Sequence, residues 1–226
     1  MLGPDILTRE GMIMGREFLG IFTDWADSYD SFVEGHDPEY KEVFTGYESI
    51  LAEVVRRSGK HVLEFGIGTG NLTALLLGAG KNVFAVEPSA QMRQVAARKL
   101  GNGFAIHDGD LMSFPQPPKP IDTIVCTFVF HHLTDAEKQE AAFKYAGLLP
   151  TGGKIIFADT MFLSPKIHQD TIEKARCQGF HGLADDLGRE YYPQITYLKD
   201  SFENAGFFVR FSQCNEFAWI LEATKK

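Results

Sequence analysis

The amino-acid sequence predicts an α/β protein with a mostly parallel, doubly wound β-sheet and helices on both of its faces. Short apolar segments alternate with helix-forming segments between residues 61 and 204, which is the pattern of βαβ units. A glycine-rich turn at residues 66–70 joins the first strand to the next helix. Near the end of the chain, only Cys214 and Asn215 separate two strand-like segments. So short a connection predicts an antiparallel hairpin at one edge of the sheet.

The segment before the first strand is predicted to be helical. Residues 16–33 are expected to form one or two short helices. A longer helix is predicted to begin at Asp37, because this side chain can cap a helix and Pro38 suits the first helical position. The apolar residues that follow recur at helical spacing, which predicts one buried face, and Gly59 ends the helix.

After Gly59, strands and helices alternate. Strands are predicted at residues 61–65, 81–87, 104–106, 121–128, 154–158, 207–213 and 216–223, and helices at residues 71–79, 89–100, 134–149 and 195–204. Thr134 and Glu137 have the spacing of a capping box, which supports a helix start there. Residues 164–193 interrupt the alternation and are expected to be helical in part.

Charge and cysteine content exclude several classes of protein. With 22 Lys and Arg against 30 Asp and Glu, the net charge of −8 argues against a surface for nucleic acid or for anionic membranes. No apolar run approaches the roughly 20 residues of a membrane span. The three cysteines are far apart and form no C-x-x-C pair, so a reducing cytoplasm is expected. No cluster has metal-ligand spacing, and no metal site is predicted from the sequence.

The length predicts one sizeable domain. The chain has 226 residues, and a single α/β domain can reach about 250. Residues 1–15 are interpreted as a tail or an upstream start, since Met14 could initiate, and residues 16–226 as the domain. Within it, residues 16–58 are expected to form an N-terminal helical lid and residues 164–195 a variable segment on the substrate side.

A ligand site is predicted at the carboxyl ends of the first two strands. Gly66, Gly68 and Gly70 lie between the first strand and a helix N-terminus, where glycine lets the backbone turn sharply and approach a ligand closely. Glu87 ends the second strand, and a carboxylate there can accept hydrogen bonds from both ribose hydroxyls. This pairing predicts a ligand that contains adenosine.

The spacing of the glycines favours S-adenosylmethionine (SAM) over NAD. The motif reads G-x-G-x-G and continues with Asn71, whereas the nicotinamide fingerprint is G-x-G-x-x-G. The acidic Glu64 before the turn would repel a pyrophosphate but suits the ammonium and sulfonium groups of SAM. The chain also leaves no second domain for the substrate of a dehydrogenase.

Six stretches together carry a family resemblance. They are WADSYD, VLEFGIGTGN, FAVEPS, HDGDLMSFP, IDTIVCTFVFHHL and LLPTGGKIIFAD. Through them the chain resembles the class I, Rossmann-like SAM-dependent methyltransferases over residues 16–226, and within that class it is most similar to a bacterial YrrT-like group. The resemblance implies a seven-stranded sheet in the order 3-2-1-4-5-7-6 with strand 7 antiparallel, which agrees with the predicted hairpin.

The resemblance also implies which residues hold SAM. Its methionine and ribose parts would contact Gly66, Gly68 and Gly70, its ribose hydroxyls Glu87, and its adenine Pro88, Ser89, Asp110 and the backbone amide of Leu111. Asp108 competes with Asp110 for the adenine amino group. Thr127, Phe128 and Val129 would surround the methyl donor, and Tyr29 would close over the methionine end.

Three side chains are candidates for a general base. His131 and His132 follow the fourth strand, and histidine is the side chain best able to accept a proton near neutral pH. The alternative is that one packs under the next helix and the other lines the site passively. Tyr29 is the third candidate. Asp159, at the end of the fifth strand, either contacts substrate or has a structural role.

The predicted reaction is SAM-dependent methyl transfer to a small molecule by in-line displacement. Acidic charge disfavours nucleic-acid substrates, and CTFVFHHL stands where enzymes that methylate nucleic-acid amino groups carry Asn/Asp-Pro-Pro-aromatic. Two alternatives stay open here. One is a protein that binds SAM or S-adenosylhomocysteine (SAH) without methyl transfer, and the other is a protein or RNA methyltransferase that uses a partner for recognition.

Overall fold

The structure is a computed structural model that describes residues 29–101 and 103–226. The predictions for residues 1–15 and for residues 16–28 lie outside the described residues. Tyr29 begins the first described helix, but its side chain lies outside the described part of the chain, so the predicted contact of Tyr29 with the methionine end stays a prediction. No helix in the described part is long and apolar enough to cross a bilayer.

The described elements alternate as predicted between the first and fifth strands. The helices are α1 (Tyr29–Val33), α2 (Tyr47–Arg57), α3 (Asn71–Gly78), α4 (Ala90–Leu100), α5 (Asp135–Leu148), α6 (Pro165–Cys177), α7 (His181–Arg189) and α8 (Ile195–Asn204). The strands are β1 (His61–Phe65), β2 (Asn82–Val86), β3 (Ile106–His107), β4 (Thr123–Thr127), β5 (Lys154–Thr160), β6 (Phe207–Gln213) and β7 (Ala218–Lys225). A short 3₁₀ helix, Phe130–His132, follows β4.

The sheet has the order β3-β2-β1-β4-β5-β7-β6, so the predicted fold class is confirmed. Strand β7 pairs antiparallel with both β5 and β6, and the other strand pairs are parallel. Phe65, at the end of β1, stands opposite Val86 of β2 and Cys126 of β4. The carboxyl ends of these three strands therefore meet at one edge, where the strand order reverses and α/β proteins bind their ligands.

The sheet is buried on both faces. In β5, Ile155 and Phe157 belong to the core cluster that also contains residues of α5 and α8. Ile156 and Ala158 point to the opposite face and pack with residues of α2 and α3. This alternation follows from the two-residue period of a strand, and it explains why the central strands read as continuous apolar runs.

The long helix predicted from Asp37 is wrong in its first part. Residues 38–46 form successive turns, and α2 begins only at Tyr47. Gly46 stands before it with φ of 76°, in the left-handed region that glycine adopts without cost. The Asp37 side chain accepts a hydrogen bond from the Glu39 N–H (2.8 Å), so it caps a turn instead of a helix.

The last strand begins two residues later than predicted. The side chain of Asn215 accepts hydrogen bonds from the backbone N–H groups of Phe217 (2.8 Å) and Ala218 (2.6 Å). Asparagine commonly closes a turn in this way. The turn takes up Glu216 and Phe217, and pairing with β5 begins at Ala218.

The two segments outside the alternation contact each other above the sheet edge. In the variable segment, α6 and α7 form an apolar cluster that also includes Val43 from the N-terminal segment. The Tyr40 hydroxyl donates to the Asp186 carboxylate, and the Glu39 carboxylate accepts from the Leu183 N–H (3.0 Å). The segments predicted to roof the site are therefore joined by apolar and polar contacts.

Candidate functional site

A cleft opens at the carboxyl ends of β1, β2 and β4. It encloses about 860 Å³, including the part open to solvent. The predicted site residues that line it are Gly66, Gly68, Glu87, Pro88, Asp110, Leu111, Thr127, Phe128, Val129 and His132. Glu64, Gly70, Ser89 and His131 lie outside its lining. The structure thus brings most of the predicted cofactor residues to one place.

The loop after β1 is shaped by glycine. Gly66 has φ of 61°, and a Cβ atom built on it would lie 2.5 Å from Cγ2 of Val129. Only a residue without a side chain fits between β1 and the loop after β4 in this conformation. Gly70 has a different task, because it precedes α3 with φ of 88° and packs toward Leu100.

The Glu87 side chain is hydrogen-bonded to two loops of the cleft. Its Oε2 atom accepts a hydrogen bond from the Gly68 N–H (2.9 Å), and Oε1 accepts one from the Ser89 N–H (2.8 Å). Burial raises the pKa of the Glu87 carboxyl to about 7, against the two backbone hydrogen bonds that favour its charged form. The carboxylate is held at the end of β2, where the sequence predicts the ribose contact.

Glu64 lies beneath the glycine loop. It is buried, and its Oε2 atom accepts a hydrogen bond from the Thr73 hydroxyl (2.8 Å) in α3. Burial raises the pKa of Glu64 to about 8; the Thr73 hydrogen bond opposes this rise, and the Glu87 charge adds to it. The predicted attraction of Glu64 for the cationic end of SAM stays a prediction.

The pKa of Glu64 predicts a pH-dependent stability of the ligand-free protein. The folded state holds the proton up to about pH 8, whereas an unfolded chain releases it near pH 4.5. Stability contributed by this group is complete below pH 4.5 and is lost as the pH rises toward 8. In this window Glu64 is expected to make the free energy of unfolding fall by at most about 1.4 kcal/mol per pH unit. We expect this fall to be absent in Glu64→Gln, as measured by urea unfolding at a series of pH values.

The control for this prediction is Glu48→Gln, which makes the same replacement of a carboxylate by an amide at an exposed position of α2. It should unfold with the wild-type pH dependence. If Glu64→Gln also retains the full wild-type slope between pH 5 and pH 8, the assignment of that slope to Glu64 is wrong.

The structure separates the two candidate acids for the adenine. Asp110 lines the cleft, and its Oδ1 atom accepts hydrogen bonds from the N–H groups of Met112 (2.9 Å) and Ser113 (2.6 Å). Asp108 forms an ion pair with Arg93 (3.2 Å), and its side chain is 60% exposed. Asp110 is thus the carboxylate that lies at the cleft, and its contact with adenine stays a prediction.

The loop after β4 supplies an aromatic wall. Phe128 has φ of 56°, a strained conformation for a residue with a side chain, and its N–H donates to the Ala158 carbonyl (2.8 Å). Its ring packs on Phe44 (centroids 5.1 Å apart) and Tyr47 (6.0 Å). Sequence reasoning missed Tyr47 as a lining residue, because it assigned this side chain to the buried face of a helix.

His131 is held between two carboxylates. Its Nδ1 atom lies 2.6 Å from Oδ1 of Asp159, and its Nε2 atom lies 3.3 Å from Oε2 of Glu190. Burial disfavours a charged ring, but the two carboxylates outweigh burial and raise the pKa of His131 to about 10. His131 therefore holds its proton at neutral pH and is poorly suited to act as a general base in this arrangement.

His132 lines the cleft with a neutral ring. Burial, together with the nearby charge of His131, lowers the pKa of His132 to about 3. The rings of the two histidines lie 4.2 Å apart. Of the two candidates, His132 is thus the one that can face a ligand in the cleft.

Asp159 has a positioning role. It is completely buried, and its Oδ1 atom also accepts from the Thr160 N–H (2.8 Å). Its Oδ2 atom accepts from the backbone N–H of His131 (2.9 Å). Of the two interpretations of Asp159 that the sequence left open, the structural one agrees with these contacts.

A polar latch, formed by Asp30, Thr69, Asn71 and Lys99, joins the N-terminal segment to the glycine loop. The Asp30 carboxylate accepts from the Thr69 hydroxyl (2.5 Å), the Asn71 amide (3.1 Å) and the Lys99 ammonium (2.7 Å). Burial opposes the charge on Asp30, but these donors lower its pKa below the usual value. Sequence reasoning missed the latch, although Asp30 belongs to the WADSYD stretch.

The amino-acid sequence matches a known family of proteins. A family model described as a methyltransferase domain matches residues 62–153. An uncharacterized methyltransferase of Geobacillus thermodenitrificans is 57% identical over 213 residues, which cover 94% of this chain and 99% of the relative. The uncharacterized methyltransferase YrrT of Bacillus subtilis is 54% identical over 94% of this chain and 100% of its own length.

Solved structures share the fold at low sequence identity. Magnesium protoporphyrin IX methyltransferase (ChlM) from Synechocystis PCC 6803, solved with bound SAH, has a TM-score of 0.63 and 21% identity, and the match covers 92% of this chain and 99% of that one. The DhpI–SAH complex has a TM-score of 0.65 and 18% identity over 94% of this chain and 97% of that one. Both similarities concern the fold.

Proposed function

The chain belongs to the family of SAM-dependent methyltransferases that includes YrrT, and from this premise we propose that it methylates a small-molecule acceptor by in-line displacement. The observation that carries the proposal is the roof of the cleft. Phe44 and Tyr47 from the N-terminal segment pack on Phe128 at the cleft wall. A site covered in this way suits an acceptor small enough to be enclosed.

The residues of the cleft fit SAM. Gly66 and Gly68 line the cleft and present only main-chain atoms to it, so a ligand there can approach the backbone closely. The Glu87 carboxylate at the end of β2 is an acceptor for hydroxyl groups, and the Asp110 carboxylate is an acceptor for an amino group. We propose that these residues hold the cofactor together with Pro88, Leu111 and Thr127.

SAM supplies an electrophilic methyl group when it is bound, so the protein has mainly to align the acceptor with that group. Correct placement of reactants contributes up to about 7–11 kcal/mol in ideal intramolecular cases. The aromatic rings of Phe44, Tyr47 and Phe128 pack together beside the loop after β4, and an apolar wall of this kind would exclude water from a ligand bound there. His132, a neutral ring in the cleft wall, can orient a polar group of the acceptor.

Charge supports a small acceptor over a nucleic acid. The net charge is −8, and contacts with phosphate groups need clustered lysine and arginine. In the latch, the Lys99 ammonium donates to the Asp30 carboxylate and to the Asn71 side-chain oxygen, so this cation is already engaged. A protein or RNA acceptor would have to reach the cleft past the contacts that join the two roofing segments.

The test is methyl transfer from SAM with a labelled methyl group. Purified protein is incubated with pools of small thiols, amines, carboxylic acids and hydroxyl compounds, and in parallel with total RNA and with a protein extract. Label in one small-molecule pool, at a rate that depends on the enzyme, is the expected result. Label confined to RNA or protein would contradict the proposal, and so would failure of every small-molecule pool while SAH binds in a parallel calorimetric titration.

A further inference from the structure

A second cluster of functional side chains borders the cleft. Among residues 29–101 and 103–226, His131, His132 and Glu190 form the one group of three or more His, Cys, Asp or Glu side chains with separations suited to a metal ion. One ligand atom from each lies within 4.8 Å of the others. The two histidines lie on the 3₁₀ helix after β4, and Glu190 follows α7. His132 belongs to both the cluster and the cleft wall.

We propose that His131, His132 and Glu190 bind one divalent transition-metal ion next to the methyl-transfer site. Two imidazoles and one carboxylate are the protein ligands of several catalytic zinc sites and of the facial triad of non-haem iron. Such sites keep at least one coordination position open. Zn²⁺ is the ion that these ligands suit in the simplest case, since it needs no further protein ligand.

The distance between two of the ligand atoms already fits a metal. Tetrahedral zinc with bonds of roughly 2.0–2.1 Å requires its ligand atoms to be about 3.3 Å apart. Nε2 of His131 and Oε2 of Glu190 are 3.3 Å apart. In a metal site the His132 ring would have to turn toward these two atoms. Its own ligand atom lies within 4.8 Å of each of them.

The surroundings of the ligands resemble the outer shell of a metal site. A metal-bound histidine usually donates its other ring N–H to a carboxylate, which fixes the ring orientation. Asp159 occupies that position on His131, 2.6 Å from Nδ1, and leaves Nε2 directed to Glu190. The Tyr192 hydroxyl donates to Oε2 of Glu190 (2.7 Å), and its ring stacks on His131 with centroids 4.8 Å apart. His131 and Glu190 are thus both oriented by other side chains.

An ion pair is the competing explanation for part of the cluster. It accounts for His131, Asp159 and Glu190, because a charged imidazole between two carboxylates needs no metal. It does not involve His132, which lies beside His131 as the next residue of the 3₁₀ helix. In the metal site, the ion replaces the proton on Nε2 of His131, and this proton is released to solvent. The two explanations differ in one measurable property, since an ion pair has no affinity for Zn²⁺ that depends on His132.

The position of the metal suggests what it would do, and this step rests on the proposed function. A metal held partly by His132 would lie beside the cleft, because His132 is part of the cleft wall. The acceptor would then be a molecule that offers a thiolate, an oxygen anion or a ring nitrogen as a metal ligand. Binding to the metal would orient the acceptor and exclude water from the same end of the cleft as the aromatic wall.

The test measures metal binding in the full chain, independently of methyl transfer. Protein treated with a chelator is dialysed against Zn²⁺ and analysed for bound metal, and Co²⁺ titration reports the coordination through its visible absorption. We expect one equivalent in the wild type, and at least tenfold weaker binding in His132→Gln and in Glu190→Gln. Asp159→Asn should weaken binding by about 10–100-fold, the usual effect of losing such a carboxylate.

The control removes an imidazole outside the cluster. His36 is exposed, and His36→Gln should bind one equivalent as the wild type does. SAH titration of every variant reports whether its cleft is folded. Absence of stoichiometric Zn²⁺ binding in the wild type overturns the metal site, and so does unchanged binding in folded His132→Gln and Glu190→Gln. Neither result tests the proposed methyl transfer, because SAH binding and product formation are measured separately.

Discussion

Glu87→Ala is expected to weaken the binding of SAM and of SAH by tenfold or more. The variant removes the carboxylate proposed to accept from the ribose hydroxyls, and a hydrogen bond to a charged group contributes about 1.5–3 kcal/mol. It also leaves the N–H groups of Gly68 and Ser89 without their acceptor. Isothermal titration calorimetry with both ligands measures the loss.

Asp108→Ala is the matched control for this experiment. It removes the same charge from a carboxylate that lies outside the lining of the cleft and pairs with Arg93 at the surface. We expect it to bind SAH within about twofold of the wild type, because a surface ion pair contributes only about 0–1 kcal/mol. Wild-type affinity in Glu87→Ala would contradict the assignment of Glu87 to the ribose. An equal loss of SAH affinity in both variants would indicate a general effect of charge.

Gly66→Ala is expected to lower the free energy of unfolding by about 2–6 kcal/mol and to impair SAH binding. A positive φ costs a residue with a side chain about 1–3 kcal/mol. The added Cβ atom would also lie 2.5 Å from Cγ2 and 2.8 Å from Cγ1 of Val129, and overpacking of this kind typically costs about 1–3 kcal/mol. Urea unfolding measures the first effect and calorimetry the second.

Gly78→Ala makes the same substitution where space is open. No atom lies within 4 Å of a Cβ atom built at this position in α3, so alanine should stabilise the helix by about 0.5–1 kcal/mol. Combining Gly66→Ala with Val129→Ala should recover the part of the loss that comes from the collision. A wild-type urea midpoint for Gly66→Ala would show that the loop after β1 rearranges without cost.

The parts of the fold that follow from local pattern could be predicted from the sequence. The alternation of strands and helices, the glycine turn after β1 and the capping box at Thr134 each depend on residues close together in the chain, and the structure has all three. The strand order came from the family resemblance and is confirmed. Asp110 lines the cleft and Asp108 does not, whereas the contact of Asp110 with adenine stays a prediction.

Predictions were less accurate where a local pattern competes with tertiary contacts. Apolar residues at helical spacing predict a helix from Asp37, but the segment from residue 38 to 46 forms turns. Its side chains Glu39 and Tyr40 bond to the variable segment, and Gly46 allows the left-handed step before α2. Spacing alone carries no information about partners that lie more than a hundred residues away.

The sequence by itself determined the α/β fold class, the edge of the sheet at which the cleft opens and the acidic residues around the glycine loop. It did so because strand period, glycine conformation and helix caps are local properties of the chain. Only the tertiary structure decided that His131 lies between Asp159 and Glu190, whereas His132 faces the cleft. Adjacent histidines look equivalent in a sequence, and their difference arises from carboxylates that β5 and the segment after α7 bring to one ring and not to the other.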